Sequence, residues 1–354
     1  DISLKNKKIV FIIDEAHRTT MGDMMHLIKA YFKDNSLFFG FTGTPLFEEN
    51  KANGRINEQS ELINTTEKLF GPLLHQYTIN EAISDGNVLG FNVDYINTGE
   101  FTSYQALKAQ IIESYGVQHP EEPKEGIKKK IGSLNEGQIE LAAKQMDILN
   151  YNNPEHIERV VTRILDDWNH ISGNKFFNAI LTVGLKKRVI DYYREFKRQI
   201  TERELNFNLA ITFSKGDEND PNSIDKDIYA EMFKDYEAYT GVYFDVNDAK
   251  MGIDAYFQDL ITRAAQGGSA QNSHNIDLVI VADQMLTGYD SKFLNALYVD
   301  RNLELQGLIQ AYSRTNRVYG KDKEFGSIIN FQYPRISEER VHEALALHSS
   351  GGEN

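Results

Sequence analysis

The run Ile9-Val10-Phe11-Ile12-Ile13 ends directly in Asp14-Glu15-Ala16-His17, and no other feature restricts the possible folds as much. Five consecutive apolar residues predict a strand buried on both faces, as in a parallel sheet covered by helices. Parallel strands need long crossover connections, so strand and helix should alternate around this run. They do. Residues 21–31 place Met24, Leu27, Ile28 and Tyr31 on one helix face, and residues 36–41 are apolar again. The second strand closes in Gly40-Phe41-Thr42-Gly43-Thr44-Pro45, a loop of glycine, threonine and proline. Residues 48–65 are polar and rich in Asn, which predicts a mobile loop.

A short helix is predicted near 79–85 and a strand at 90–97. Residues 98–153 differ in character: they are charged and helix-prone, with interruptions at Pro120 and Pro123, and suggest a helical connector or insertion. The next helix, 154–169, carries an apolar stripe of Ile157, Val160, Val161, Ile164, Leu165 and Trp168, with Pro154 suited to its first turn. Strand signals then recur at 179–183, 207–213, 277–282, 296–300 and 327–331. Between them lie a helix with Val189, Tyr192, Phe196 and Ile200 on one side and helices near 225–239 and 253–265. This alternation predicts a second doubly wound α/β domain, and 354 residues are enough for two cores.

The net charge of −14 argues against non-specific nucleic-acid affinity for the surface as a whole. It leaves room for a local basic track, with clusters at 124–130, at Lys186-Lys187-Arg188 and at 194–203, although each also suits a solvated helix face. No apolar run approaches the roughly 20 residues of a membrane span. The chain has no cysteine, which excludes disulfides and fits a reducing, cytoplasmic setting. It begins with Asp1, so a piece of a longer polypeptide is expected.

Carboxylates at the carboxyl end of a parallel strand sit where open α/β sheets bind ligands. There Asp14 suits Mg²⁺ held through water and Glu15 suits orientation of an attacking water, as in phosphoryl transfer. The bland alternative is a strand ending in a charged turn. Gln310-Ala311-Tyr312-Ser313-Arg314-Thr315-Asn316-Arg317 places a glutamine and two arginines at i, i+4 and i+7, one face if the segment is helical. Two guanidinium forks suit a phosphate chain, and two surface arginines are the alternative. After the apolar run 277–282, Thr287-Gly288-Tyr289-Asp290 offers a hydroxyl and a glycine for close backbone approach to phosphate. Asp290 suits a ribose hydrogen bond, an arginine partner or a helix cap.

The order of these motifs resembles the superfamily 2 helicases and translocases: Asp14–His17 matches motif II, Thr42–Pro45 motif III, Thr287–Asp290 motif V and Gln310–Arg317 motif VI. Gly40–Pro45 and Gln310–Arg317 look more narrowly like the motor subunit of type I restriction enzymes; Ser313 stands where many superfamily members carry glycine. The resemblance covers about residues 7–333 and is weak through 98–153. It implies that Asp14 binds Mg²⁺ through water, that Glu15 activates the hydrolytic water, and that His17, with Thr42, Gly43 and Thr44, couples nucleotide state to the interdomain contact. It implies that Gln310, Arg314 and Arg317 reach the ATP phosphates, that Thr287, Gly288 and Asp290 lie where nucleotide and DNA signals meet, and that Lys186, Lys187 and Ser214 touch the DNA backbone. No Gly-x-x-x-x-Gly-Lys-Ser/Thr occurs, so the phosphate cradle is missing and, with the family's nuclease domain, is expected upstream.

The layout so implied is α/β: residues 1–97 as the distal half of a RecA-like domain, 98–153 helical, 154–334 a complete second RecA-like domain, and 335–354 the start of a helical region. The expected partners are double-stranded DNA and the modification and specificity subunits, with no membrane. Rival readings are another superfamily 2 translocase or helicase, and a non-catalytic scaffold, which has no use for Glu15 together with Arg314 and Arg317. A metal hydrolase on Asp14, Glu15 and His17 lacks a common three-ligand face on an extended strand.

Overall fold

The computed structural model describes residues 7–19, 23–32, 35–47, 55–56, 62–213, 226–247, 251–303 and 305–349. The chain divides into two compact units: residues 1–84 with 304–310 and 343–354, and residues 85–303 with 311–342.

In the first unit β1 (Ile9–Ile13) pairs in parallel with β2 (Ser36–Gly40), and α1 (Ala16–Thr19) and α2 (Asp23–Tyr31) lie between them in sequence. Phe11 stacks on Phe38 with ring centroids 4.6 Å apart, and Met25, Ile63 and Leu69 form a small core beside Ile13, Phe38 and Phe70. The opposite face is open. Ile12 is 73% and Val10 57% exposed, and their register partners Phe39 and Leu37 are exposed too. Burial of β1 on both faces, expected from its apolar run, is therefore corrected. Successive side chains point to opposite faces, and among the described residues only the Phe11 and Ile13 face is packed.

Most of the loop expected over 48–65 lies outside the described residues. Within that stretch β3 (Arg55–Ile56) pairs antiparallel with β4 (Leu62–Ile63). There follow α3 (Thr66–Phe70), whose Lys68 N–H is capped by the Thr65 hydroxyl, and α4 (Ile79–Ser84).

The second unit is built on β5 (Gly90–Tyr95), β6 (Asn178–Val183), β7 (Leu209–Thr212), β8 (Leu278–Val281), β9 (Leu294–Asp300) and β10 (Phe325–Asn330). All are parallel, in the order β5-β10-β9-β6-β8-β7. Every residue of β6, β7 and β8 is buried, as a sheet covered on both faces requires. Val183 is level with Asp300, and Thr182 with both Val299 and Val281, so β9, β6 and β8 end side by side. Sequence order groups Gly90–Tyr95 with the first domain, to a boundary at 97. The backbone pairs this strand with β10 instead, and the division between the units falls at 84/85.

Residues 98–153 form α5 (Tyr104–Gln118), α6 (Lys124–Gly132) and α7 (Glu136–Gln145), with a core of their own around Leu107, Ile111, Ile127, Ile131, Ile139 and Ala143. α8 (Pro154–Ile171) starts on the Asn153 side chain, which accepts the His156 N–H, and buries the whole predicted stripe. The remaining helices are α9 (Lys186–Glu202), α10 (Lys226–Thr240), α11 (Met251–Ala264), α12 (Leu305–Tyr312) and α13 (Pro334–Ser349). The buried Glu140 of α7 accepts the N–H groups of Arg335 and Ile336 in the first turn of α13, and the Tyr104 hydroxyl at 2.6 Å. It thus satisfies two of the donors that a helix start leaves without an intrahelical partner.

Candidate functional site

In the first unit the site grows from the carboxyl ends of β1 and β2. The N–H of Phe41 bonds Ile13 O and the N–H of Ala16 bonds Phe41 O, which stitches the two loops together. Ala16 is fully buried, and a Cβ on Gly40 would stand 2.9 Å from the Phe70 ring and 3.0 Å from Ala16 Cβ, so both positions need small residues. Asp14 is exposed, with Oδ1 accepting the Glu15 N–H. Glu15 has φ 48°, a left-handed conformation that costs a non-glycine residue roughly 1–2 kcal/mol.

This turn aims His17 inward, where its side chain is 7% exposed. His17 Nδ1 lies 2.7 Å from Thr42 Oγ1 and 3.4 Å from Glu15 Oε2. Gln310 Nε2 stands 2.7 Å from His17 Nε2 and donates to Thr44 Oγ1 at 2.6 Å. With that amide donating, His17 Nε2 is the lone-pair nitrogen and Nδ1 carries the proton to Thr42. Glu15, His17, Thr42, Thr44 and Gln310, distant in sequence, are thus gathered within one unit, with Gly43 in the turn between the threonines. Among the described residues no group of three or more histidines and acids is placed to hold a metal ion. The single exposed carboxylate of Asp14 fits an ion held through water.

In the second unit Gly288 has φ +76°, which favours glycine, and turns the chain toward Asp290. Asp290 Oδ1 accepts from Arg317 Nε at 2.6 Å, so of its predicted partners the arginine is the one observed. Arg314 donates to Tyr289 O at 2.8 Å. The expectation that Gln310, Arg314 and Arg317 share one helical face is corrected, because α12 ends at Tyr312. The Arg314 and Thr315 N–H groups turn back to Ala311 O and Tyr312 O, and Thr315 packs against Gly326 of β10, where a Cβ would stand 2.2 Å from Thr315 Oγ1. Both arginines are instead held by the 287–290 loop. Lys186 and Lys187 begin α9, and Thr287 is half-buried. Ser214 lies outside the described residues.

A second polar centre was not singled out from the sequence. Asp300, fully buried at the end of β9, accepts from His156 Nε2 at 2.7 Å, Tyr192 Oη at 2.6 Å, Gln332 Nε2 at 3.0 Å and Arg188 Nη2. Burial alone would raise its pKa. The His156 hydrogen bond and the charges of His156 and Arg188 outweigh burial and hold the carboxyl down at about 2. His156 Nδ1 in turn meets Thr98 Oγ1 at 2.8 Å and Glu100 Oε1 at 3.2 Å. The available signal was an acid, Asp300, closing an apolar strand, much as Asp14 follows one.

A parallel sheet flanked by helices, with polar loops at the carboxyl ends of its strands, defines an α/β protein with a RecA-like sheet. The fragment structure assigned to an HsdR subunit of a type I restriction enzyme from Vibrio vulnificus YJ016 shares this fold, at TM-score 0.52 and 13% identity over 94% of this chain and 44% of that one. Residues 2–121 match the family model of the SWI2/SNF2 ATPase, and residues 175–333 that of type I restriction enzyme subunit R domain 3. The type I restriction enzyme SauCOLORF180P endonuclease subunit of Staphylococcus aureus (strain COL) is 35% identical over 98% of this chain. The SsaAORF53P endonuclease subunit of Staphylococcus saprophyticus is 36% identical over the same share. The chain belongs to this family of type I restriction-enzyme endonuclease subunits, and it spans 32% of the length of each of these two relatives. Among the described residues no helix is long and apolar enough to cross a membrane.

Proposed function

We propose that this chain is part of the ATP-driven double-stranded DNA translocase of a type I restriction enzyme, working in the cytoplasm with modification and specificity subunits. The observation that carries the reading is the meeting of His17, Thr42, Thr44 and Gln310 around one imidazole. Three motifs far apart in sequence each supply a member of this contact. A motor needs such a contact to pass nucleotide state between its parts.

In this reading Asp14 holds Mg²⁺ through water and Glu15 orients the attacking water. Gln310, Arg314 and Arg317 serve the ATP phosphates, where guanidiniums neutralise charge that develops in phosphoryl transfer. ATP with Mg²⁺ supplies the driving reaction, and the Lys-bearing phosphate cradle comes from outside these residues. Thr287, Gly288 and Asp290 join nucleotide to DNA, and Lys186, Lys187 and Ser214 grip the DNA backbone without reading sequence. Residues 1–84 then act as part of one motor domain and the six-stranded unit as the other.

The test is duplex-stimulated ATP hydrolysis and displacement of a DNA triplex by the whole subunit with its partner subunits. Glu15→Gln should abolish both and leave duplex binding intact. Wild-type turnover in that variant sinks the assignment. The match of residues 2–121 to the SWI2/SNF2 ATPase favours one second reading, a duplex translocase serving another complex. Triplex displacement that needs neither a modification nor a specificity subunit would favour it.

A further inference from the structure

Arg301, the residue after β9, reaches along the carboxyl edge of the sheet. Its Nη1 donates to Asp283 Oδ1 at 2.6 Å, Ala282 O at 2.5 Å and Val183 O at 3.3 Å. Val183 ends β6, and Ala282 follows β8. The register sets these ends level with β9, so the side chain crosses β6 to reach β8, a span of two strand spacings or about 9–10 Å. Few side chains bridge that gap and still present several donors. Its base cannot slide, because Asp300, pointing to the other side of the strand, is fixed by four donors. Ala282 O also accepts from Thr182 Oγ1, so the end of β8 is tied to β6 twice.

The two segments that leave these strand ends are the ones assigned to DNA: the turn 184–185 runs into Lys186 and Lys187 at the start of α9, and the loop 283–288 carries Thr287 and Gly288. We propose that Arg301 is a positioning residue that fixes the β6 and β8 loops relative to each other, in the spacing at which their side chains meet duplex phosphates. The inference rests on the DNA-translocase reading. Arg301 touches no reacting group in it. Its Nη1 is spent on carbonyl oxygens and on Asp283, and its effect on DNA passes through the loops it holds.

The experiment compares wild type, Arg301→Ala, Arg301→Lys and the double variant Lys186→Ala with Lys187→Ala in the whole subunit. It follows amide hydrogen exchange and the duplex concentration that half-saturates ATPase stimulation. In Arg301→Ala, exchange over 184–187 and 283–288 should quicken about tenfold, the equivalent of roughly one net hydrogen bond, with α5–α7 unchanged. Half-saturation should rise by a similar factor of about ten, since each misplaced loop loses its share of phosphate contact. Lysine, a single ammonium in place of a fork, should give intermediate values in both. Wild-type exchange in the two loops overturns the proposal, and so does equal acceleration throughout the subunit, which marks a residue that only supports the fold. If Arg301→Ala does not fold, Arg301→Lys decides by the same two readouts. A double variant with wild-type half-saturation removes the DNA reading of the loops, while the exchange data still decide whether Arg301 sets them.

Discussion

Gln310 is a single side chain with two obligations, to Thr44 Oγ1 and to His17 Nε2. Alanine there removes both bonds and leaves Thr44 Oγ1 the longer contact to His17 Nδ1 at 3.4 Å, a weakening of a buried polar cluster worth about 1–3 kcal/mol. Gln310→Ala should therefore lower the melting temperature by a few degrees. In the whole subunit it should lower DNA-stimulated ATPase by much more than that fractional loss of folded protein. Measured side by side, a fall in turnover explained by unfolding would leave the cluster a mere packing feature. Arg317 differs, because its pair with Asp290 is exposed on both sides and pairs of that kind contribute about 0–1 kcal/mol. Arg317→Ala should keep the wild-type melting temperature while turnover falls by about 10³ or more, and lysine should rescue it poorly. Normal turnover in the alanine variant removes the guanidinium from the chemistry. Lys323 carries a pH prediction. Burial, then the charge of Arg317, lowers its pKa to about 7, below the ordinary 10.5, while its ammonium donates to Leu294 O and Lys292 O. The folded value lies below the unfolded one, so unfolding takes up a proton between them and stability rises with pH from about 7 toward 10.5. Denaturant titrations at several pH values should show a flatter rise in Lys323→Met, and an identical slope in both proteins would place the titrating group elsewhere.

At the scale of elements, contiguous motifs at strand ends were legible, and so was any helix long enough to show a stripe. α8 buries every residue predicted for its face, because over 18 residues the period of 3.6 cannot be mistaken. The helices of 98–153 bury only two to four residues each, such as Leu107 with Ile111 and Ile127 with Ile131, so no single helix advertises a core. Their core appears only when the three pack together. The pairing of Gly90–Tyr95 with β10 was hidden for a different reason: a strand's neighbour is set by backbone hydrogen bonds to residues far along the chain, which local pattern does not encode. Asp300 shows the same limit at a site, since its partners come from positions 156, 188, 192 and 332 and share no motif. Arg314 and Arg317 show the reverse, a helical spacing in sequence that the end of α12 at Tyr312 cancels. One consequence is testable through Glu140, whose carboxylate caps the first turn of α13 and takes the Tyr104 hydroxyl. Glu140→Ala leaves three donors without it, and an unpaired buried donor costs about 1–3 kcal/mol. Hydrogen exchange should quicken over residues 334–338 and over α5–α7 while the six-stranded sheet keeps its protection. Unchanged exchange in those helices would show that water replaces the carboxylate without loss.

For the molecule as a whole, charge sets the terms on which duplex DNA is met. A net charge of −14 repels a polyanion at long range, so any affinity must come from local cations that displace counterions. Lys186 and Lys187 stand at the start of α9, the end of a helix where the macrodipole also favours an anion. In the reading proposed here they contact phosphates, and each such contact adds about −0.9 to the slope of log affinity against log salt. Duplex binding by the whole subunit should accordingly weaken steeply between low and physiological salt. Substituting both lysines by alanine should flatten the slope by about 1.8, the share of two contacts. Affinity should fall for every duplex sequence alike, because phosphates carry no sequence information. Melting temperature should hold, since neither side chain is buried. Fluorescence anisotropy across a salt series, with two unrelated duplexes, separates the outcomes. An unchanged slope makes the pair a solvated helix face, the alternative that the charge pattern of the sequence left open. A slope that flattens for one duplex only would mean that these lysines read base edges, which a motor that moves along any sequence has no reason to do.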